Sequence, residues 1–145
     1  MNQTSQTVSA ARGARILHLA LAGGLALVGG VFLVLESAAG GPLSGPRIPG
    51  VAFAVVSVAQ IVIALGWFRQ RVRPRAFSQS VEDYWSSADI RGAAIVVWAL
   101  LEGAGLFSWV GYLLIGGIVP AATAVLALVL LVGVRPSRLE ADGAA

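Results

Sequence analysis

Cysteine and lysine are both absent from this chain of 145 residues. Without cysteine there is no disulfide, no thiolate metal site and no cysteine nucleophile, and the redox compartment is left open. Without lysine there is no glycine-rich loop ending in Lys of the kind that cradles nucleotide phosphates. There is one histidine, where a haem or metal centre would want a second. No Ser/His/Asp set and no pair of carboxylates at catalytic spacing is present, so the expectation is a protein with no catalytic residues, no metal site and no cofactor. Charge is scarce as well. Only 12% of residues are charged, against about 25% in an average soluble domain.

What fills the chain instead is apolar sequence, 57% of it, in blocks long enough to cross a bilayer, which takes about 20 residues of helix. Four spans are expected, at about residues 16–35, 51–68, 92–117 and 120–134. They form a single all-α transmembrane domain over residues 1–145, with no room for a separate soluble domain. Residues 1–13 read as a flexible polar tail. The first span follows Arg12 and Arg15 as a signal peptide would, but signal cores run only about 7–15 residues, so a retained helix is expected. Residues 36–50 carry Gly40-Gly41-Pro42, Gly45-Pro46 and Pro49-Gly50, which is loop chemistry. Trp67 closes the second span as an interfacial aromatic. Pro74 stops any continuing helix. Residues 76–89 are polar and read as a short interfacial or irregular segment, with Asp89 as the N-terminal cap of the third helix. Pro120 suits the first turn of the fourth. The uncharged link 116–119 makes helices three and four a tight antiparallel hairpin.

All ten basic residues are arginine and the net charge is +3. There is no long basic face with interleaved aromatics, which argues against a nucleic-acid partner. Nine arginines lie at positions 12, 15, 69, 71, 73, 75, 91, 135 and 138, and only Arg47 lies in the other loops. The positive-inside rule then puts both termini and the 69–91 loop in the cytoplasm, in a multi-pass protein of a bacterial inner membrane.

Glu102 is the conspicuous residue. It lies in the middle of the third span, where a carboxylate costs about 2.5–3.5 kcal/mol on insertion scales and is by default a functional-site hypothesis. Helical spacing puts Trp98, Glu102, Gly105, Trp109 and Tyr112 along one stripe. At the helical rise per residue, Glu102 is roughly 13–15 Å from the cytoplasmic end and Gln60, on the second span, is about 12 Å from the same side. The two are expected to meet, with Ser57, one turn from Gln60, and Tyr112 as further supports. Two readings follow: a site for a proton or monovalent cation, or a neutral Glu102 that hydrogen-bonds between helices and fixes an assembly. His18 and Arg91 read as interfacial residues at the cytoplasmic edge, and Glu36 as solvated at the outer one. Gly23, Gly24, Gly29 and Gly30 on the first span, and Gly103, Gly105 and Gly111 on the third, read as small-residue faces for close helix packing. They favour a homo-oligomer or a subunit of a membrane complex, with the lipid bilayer as the other partner.

Asp89-Ile90-Arg91-Gly92, then Trp98-Ala99-Leu100-Leu101-Glu102-Gly103, then Gly111-Tyr112-Leu113-Leu114 resembles the carboxylate helix of rotary ATPase proteolipids, the subunit c family. Over helices two and three, that resemblance implies Glu102 as the residue that takes a proton or sodium ion, with Gln60 on the partner helix. Leu17-His18, the Ala99–Gly103 block and Arg135-Pro136-Ser137 together are similar to a group of uncharacterised bacterial four-helix membrane proteins. That likeness covers nearly the whole chain and implies the architecture alone. His18–Gly23 can also be laid over Trp98–Gly103, as an old duplication of a two-helix hairpin would leave them.

Overall fold

The structure, a computed structural model, describes residues 4–39 and 50–141, with the side chains of 10–39 and 51–141. It is all-helical over that range. The expected loop at 40–49, Arg47 included, lies outside the described residues.

The first helix, α1, spans Thr4–Ala39 and overruns the expected span at both ends. The supposed flexible tail is helical from Thr4. Ala11, Ala14, His18 and Leu25 are all buried, at spacings of three, four and seven that place them on one face, so the extension is held by packing and not by propensity alone. At the other end Glu36 to Ala39 stay helical where a loop was expected. There Ser37 Oγ donates to the Val34 carbonyl at 2.8 Å, closing the last turn on itself.

Helix α2, Gly50–Ile63, continues through a π-helical turn, Ala64–Phe68, and a 3-10 turn, Arg69–Arg71. Arg71 stacks its guanidinium over Trp67 and Phe68, 5.6 and 5.2 Å from the ring centroids. The short helix α3, Val81–Ser86, begins with Ser80 accepting from the Asp83 amide while its hydroxyl donates back to the Asp83 carboxylate at 2.8 Å. Such reciprocal capping satisfies an amide the helix leaves bare. Helix α4, Ala88–Ile115, is capped at Ser87 without a side-chain bond. Asp89 is therefore in the first turn and is not the cap. α4 ends at Gly116 and Gly117, with φ of 73° and 91°, a left-handed reversal that glycine alone enters at no steric cost. Helix α5, Ile118–Gly133, returns antiparallel with Pro120 in its first turn. A sixth helix, α6, Pro136–Ala141, was not expected. It turns back over the end of the bundle and buries Pro136 and Leu139.

Three helical stretches are long and apolar enough to cross a membrane, Ala10–Ala39, Val51–Arg71 and Ala88–Ile115, and Ile118–Gly133 is a shorter apolar helix. Their outer faces are apolar too: Leu19, Leu27, Val55, Val62 and Val129 are each more than half exposed. So continuous an apolar exterior is foreign to soluble monomers and points to a membrane protein.

The seams are built on glycine. A methyl at Gly105 would lie 2.6 Å from Leu25 Cδ2, one at Gly29 2.6 Å from the Trp109 ring, and one at Gly111 2.6 Å from Phe53 Cγ. Each is a large side chain of one helix seated on a bare backbone of the next, the close approach that membrane helices need. His18–Trp98, Leu25–Gly105 and Gly29–Trp109 share one sequence offset, so α1 and α4 run parallel. Ser57–Ser108 and Phe53–Gly111 run in opposite senses along the chain, so α2 is antiparallel to α4.

Candidate functional site

Glu102 sits fourteen residues from Ala88 and thirteen from Ile115, about 20 Å from either end of α4. It is half-buried. Across the α1–α4 seam it stands close to Gly24, where an added methyl would lie 3.9 Å from Glu102 Oε1. The adjacent Gly23 and Gly103 border open space. No hydrogen bond joins Glu102 to another described residue.

The expected meeting with Gln60 does not occur. The Ser57–Ser108 and Phe53–Gly111 contacts set Gln60 opposite Gly105, about one turn from Glu102, and the azimuths differ as well. At about 100° per residue, Glu102 lies within about 60° of Trp98, Gly105 and Trp109, which face α1, and about 120–180° from Ser108 and Gly111, which face α2. Gln60 belongs to the α2 side, where its Oε1 is buried without a hydrogen-bond partner among the described residues. Ser57 likewise supports something else. Its Oγ accepts from Ser108 Oγ at 2.7 Å, with both residues fully buried. Tyr112, at the far end of the Glu102 stripe, donates to Glu36 Oε2 at 2.7 Å and packs edge-on against Trp109 at 5.7 Å. Glu36 is thus half-buried and hydrogen-bonded, not simply solvated. The four candidates Glu102, Gln60, Ser57 and Tyr112 occupy three separate places.

The glycines divide in the same way. Gly105 is a packing glycine, together with Gly29 and Gly111. At Gly23, Gly30 and Gly103 an added methyl would meet nothing within 4 Å.

His18 is not an interfacial residue meeting headgroups. It is 4% exposed and lies edge-on to Trp98, 5.2 Å between centroids. Its Nε2 is 2.9 Å from the Leu131 carbonyl. A carbonyl only accepts, so Nε2 carries the proton. Arg91 is exposed in the first turn of α4.

A second polar centre, at the arginine-rich end, has no counterpart among the sequence expectations. Glu140 of α6 accepts from Trp85 Nε1 at 2.8 Å and from Arg15 Nη2 at 3.2 Å. Its carbonyl accepts from Arg75 Nε at 3.3 Å. Trp85, fully buried, continues a chain of rings, Tyr84–Trp85 at 5.2 Å and Trp85–Trp98 at 5.9 Å. Tyr84 Oη donates to the Arg73 carbonyl at 2.9 Å and Trp98 Nε1 to the Val134 carbonyl at 2.9 Å. The only sequence signal for this plug was a Tyr-Trp pair inside an otherwise polar loop. Among the described residues, no group of three or more His, Asp or Glu converges on a point where a metal could sit. Set beside protein-family models, curated proteins and solved structures, the chain matches none of them.

Proposed function

We propose that this chain is a small non-enzymatic membrane subunit that crosses a bacterial inner membrane four times, with both termini in the cytoplasm. It works within an oligomer or larger membrane complex, and Glu102 is its intramembrane carboxylate site. The observation that carries this reading is the setting of Glu102: mid-helix, half-buried against Gly24, and without a hydrogen bond to any described residue. A carboxylate at that depth needs a proton, a cation or a donor from another molecule. Gly23 and Gly103 beside it leave room for a second helix backbone. The resemblance of the Trp98–Gly103 block to the proteolipid carboxylate helix supports a proton or monovalent cation as the ligand. In the competing reading the chain is a purely structural accessory subunit and Glu102 is interhelical glue. Within this chain that reading has no partner for the carboxylate among the described residues, so it too requires a neighbouring protein.

Glu102→Gln separates the two. Gln keeps the shape and most of the hydrogen-bonding capacity, so assembly on native gels should survive in both cases. Proton- or cation-dependent flux in liposomes should be present in the wild type and lost in the variant. Intact assembly with no wild-type flux to lose would reject the ion site and leave the structural role.

A further inference from the structure

A groove of about 330 Å³ runs between α1 and the α5–α6 junction. Its arginine-rich end is flanked by Arg15 and Arg135, and its length by Leu19, Ala22 and Val132, with His18 below. Leu19 is 69% exposed and Val132 49%, so the apolar part opens outward, toward what would be hydrocarbon in a bilayer. Arg15 is ion-paired with Glu140. Arg135 is exposed and has no acid partner among the described residues. Of the two guanidiniums that line the groove, Arg135 is thus the one left without a carboxylate at the head of an apolar channel. That order, one cation above an apolar wall, is the complement of one phosphodiester above one acyl chain.

We propose that this groove binds a single anionic phospholipid, its phosphodiester between Arg15 and Arg135 and an acyl chain along Leu19, Ala22 and Val132. Arginine suits the task because its planar fork meets two phosphate oxygens at once. Basic pockets between membrane helices on the cytoplasmic side recognise anionic headgroups in this way. Pro136 fixes the site's geometry, since it is buried and starts α6 directly after Arg135. The groove's lining includes neither Glu102 nor Gly23, Gly24 and Gly103 beside it, so neither proposal depends on the other beyond the chain's lying in a membrane.

The test is lipid binding by the full chain in detergent, counted by native mass spectrometry, with dioleoyl phosphatidylglycerol and dioleoyl phosphatidylcholine as probes. The wild type should hold one phosphatidylglycerol more tightly than phosphatidylcholine. Arg135→Gln should weaken phosphatidylglycerol about fivefold, the worth of one arginine near a membrane surface. Arg71→Gln, which removes a guanidinium held over Trp67 and Phe68 outside the groove, should leave it unchanged. Val132→Trp fills the channel from its exposed side and should weaken both lipids. Equal affinity for the two lipids, or wild-type binding by either Arg135→Gln or Val132→Trp, would overturn the proposal. Displacement of the lipid by inorganic phosphate alone would also overturn it, by making the site one for a soluble anion. Glu102→Gln should keep its phosphatidylglycerol whatever becomes of flux and assembly.

Discussion

Gly29 and Gly30 are neighbours on α1, yet a methyl should have opposite effects on them. At Gly29 the new carbon would lie 2.6 Å from Trp109 Cε2 and Cζ2 and 2.7 Å from Nε1. Comfortable carbon–carbon contact is about 3.5–4.0 Å, so the indole must retreat by roughly 1 Å. It cannot swing freely. Trp109 is 5% exposed and packs edge-on against Tyr112. Overpacking of this kind costs about 1–3 kcal/mol. At Gly30 a methyl meets nothing within 4 Å. Both substitutions gain the same helix propensity, about 0.8–1.0 kcal/mol. That common gain cancels, and the difference between the two variants isolates the overlap at about 1–3 kcal/mol. Gly29→Ala should therefore be destabilised by up to about 2 kcal/mol and Gly30→Ala stabilised by up to about 1 kcal/mol. Equilibrium unfolding in mixed micelles, followed by tryptophan fluorescence and circular dichroism, measures both. If Gly29→Ala proved as stable as Gly30→Ala, the seating of Trp109 on a bare α1 backbone would be refuted.

Topology has a direct readout: reporters fused at the N-terminus, near Ser78 and at the C-terminus should read cytoplasmic, and one near Gly41 external, with a cytoplasmic reading at Gly41 overturning the arrangement. The buried Ser57–Ser108 pair is open to a double-mutant cycle. Removing both hydroxyls should cost less than the sum of the single Ala variants, by about 0.6 kcal/mol and at most about 1.7 kcal/mol, and strict additivity would mean that the 2.7 Å contact contributes no coupling.

The apolar helices were legible because hydrophobicity sums locally, and 51–68 or 120–134 can be summed without knowing their neighbours. What lay beyond that sum was not legible. The depth of Glu102 follows from counting residues, but its azimuth relative to Gln60 depends on which face α4 turns toward α2, and that is decided by Ser108 and Gly111 meeting Ser57 and Phe53. The glycine-rich faces were visible as composition. Only the opposing large residues reveal that Gly29, Gly105 and Gly111 are the seated ones. His18 looked like an edge residue because it follows two arginines, yet α1 carries its amphipathic contacts two further turns toward the N-terminus. Glu140 gave no local sign at all, since its partners are Arg15, Arg75 and Trp85.

That last set of contacts has a consequence in time. Arg15 and Glu140 are 125 residues apart, and chains grow at about 5–20 residues per second, so roughly 6–25 s pass between the synthesis of one and the other. Through that interval Arg15 lacks the acid it will pair with, and Trp85, made 55 residues before Glu140, lacks the acceptor for its indole N–H over the latter part of it. An unpaired arginine resists translocation, so on the proposed topology Arg15 is available to anchor α1 while the later helices are still being made. The knot at Glu140 closes only after α1 to α5 have been made. It ties α6 to α1 and α3 once the helices between them exist.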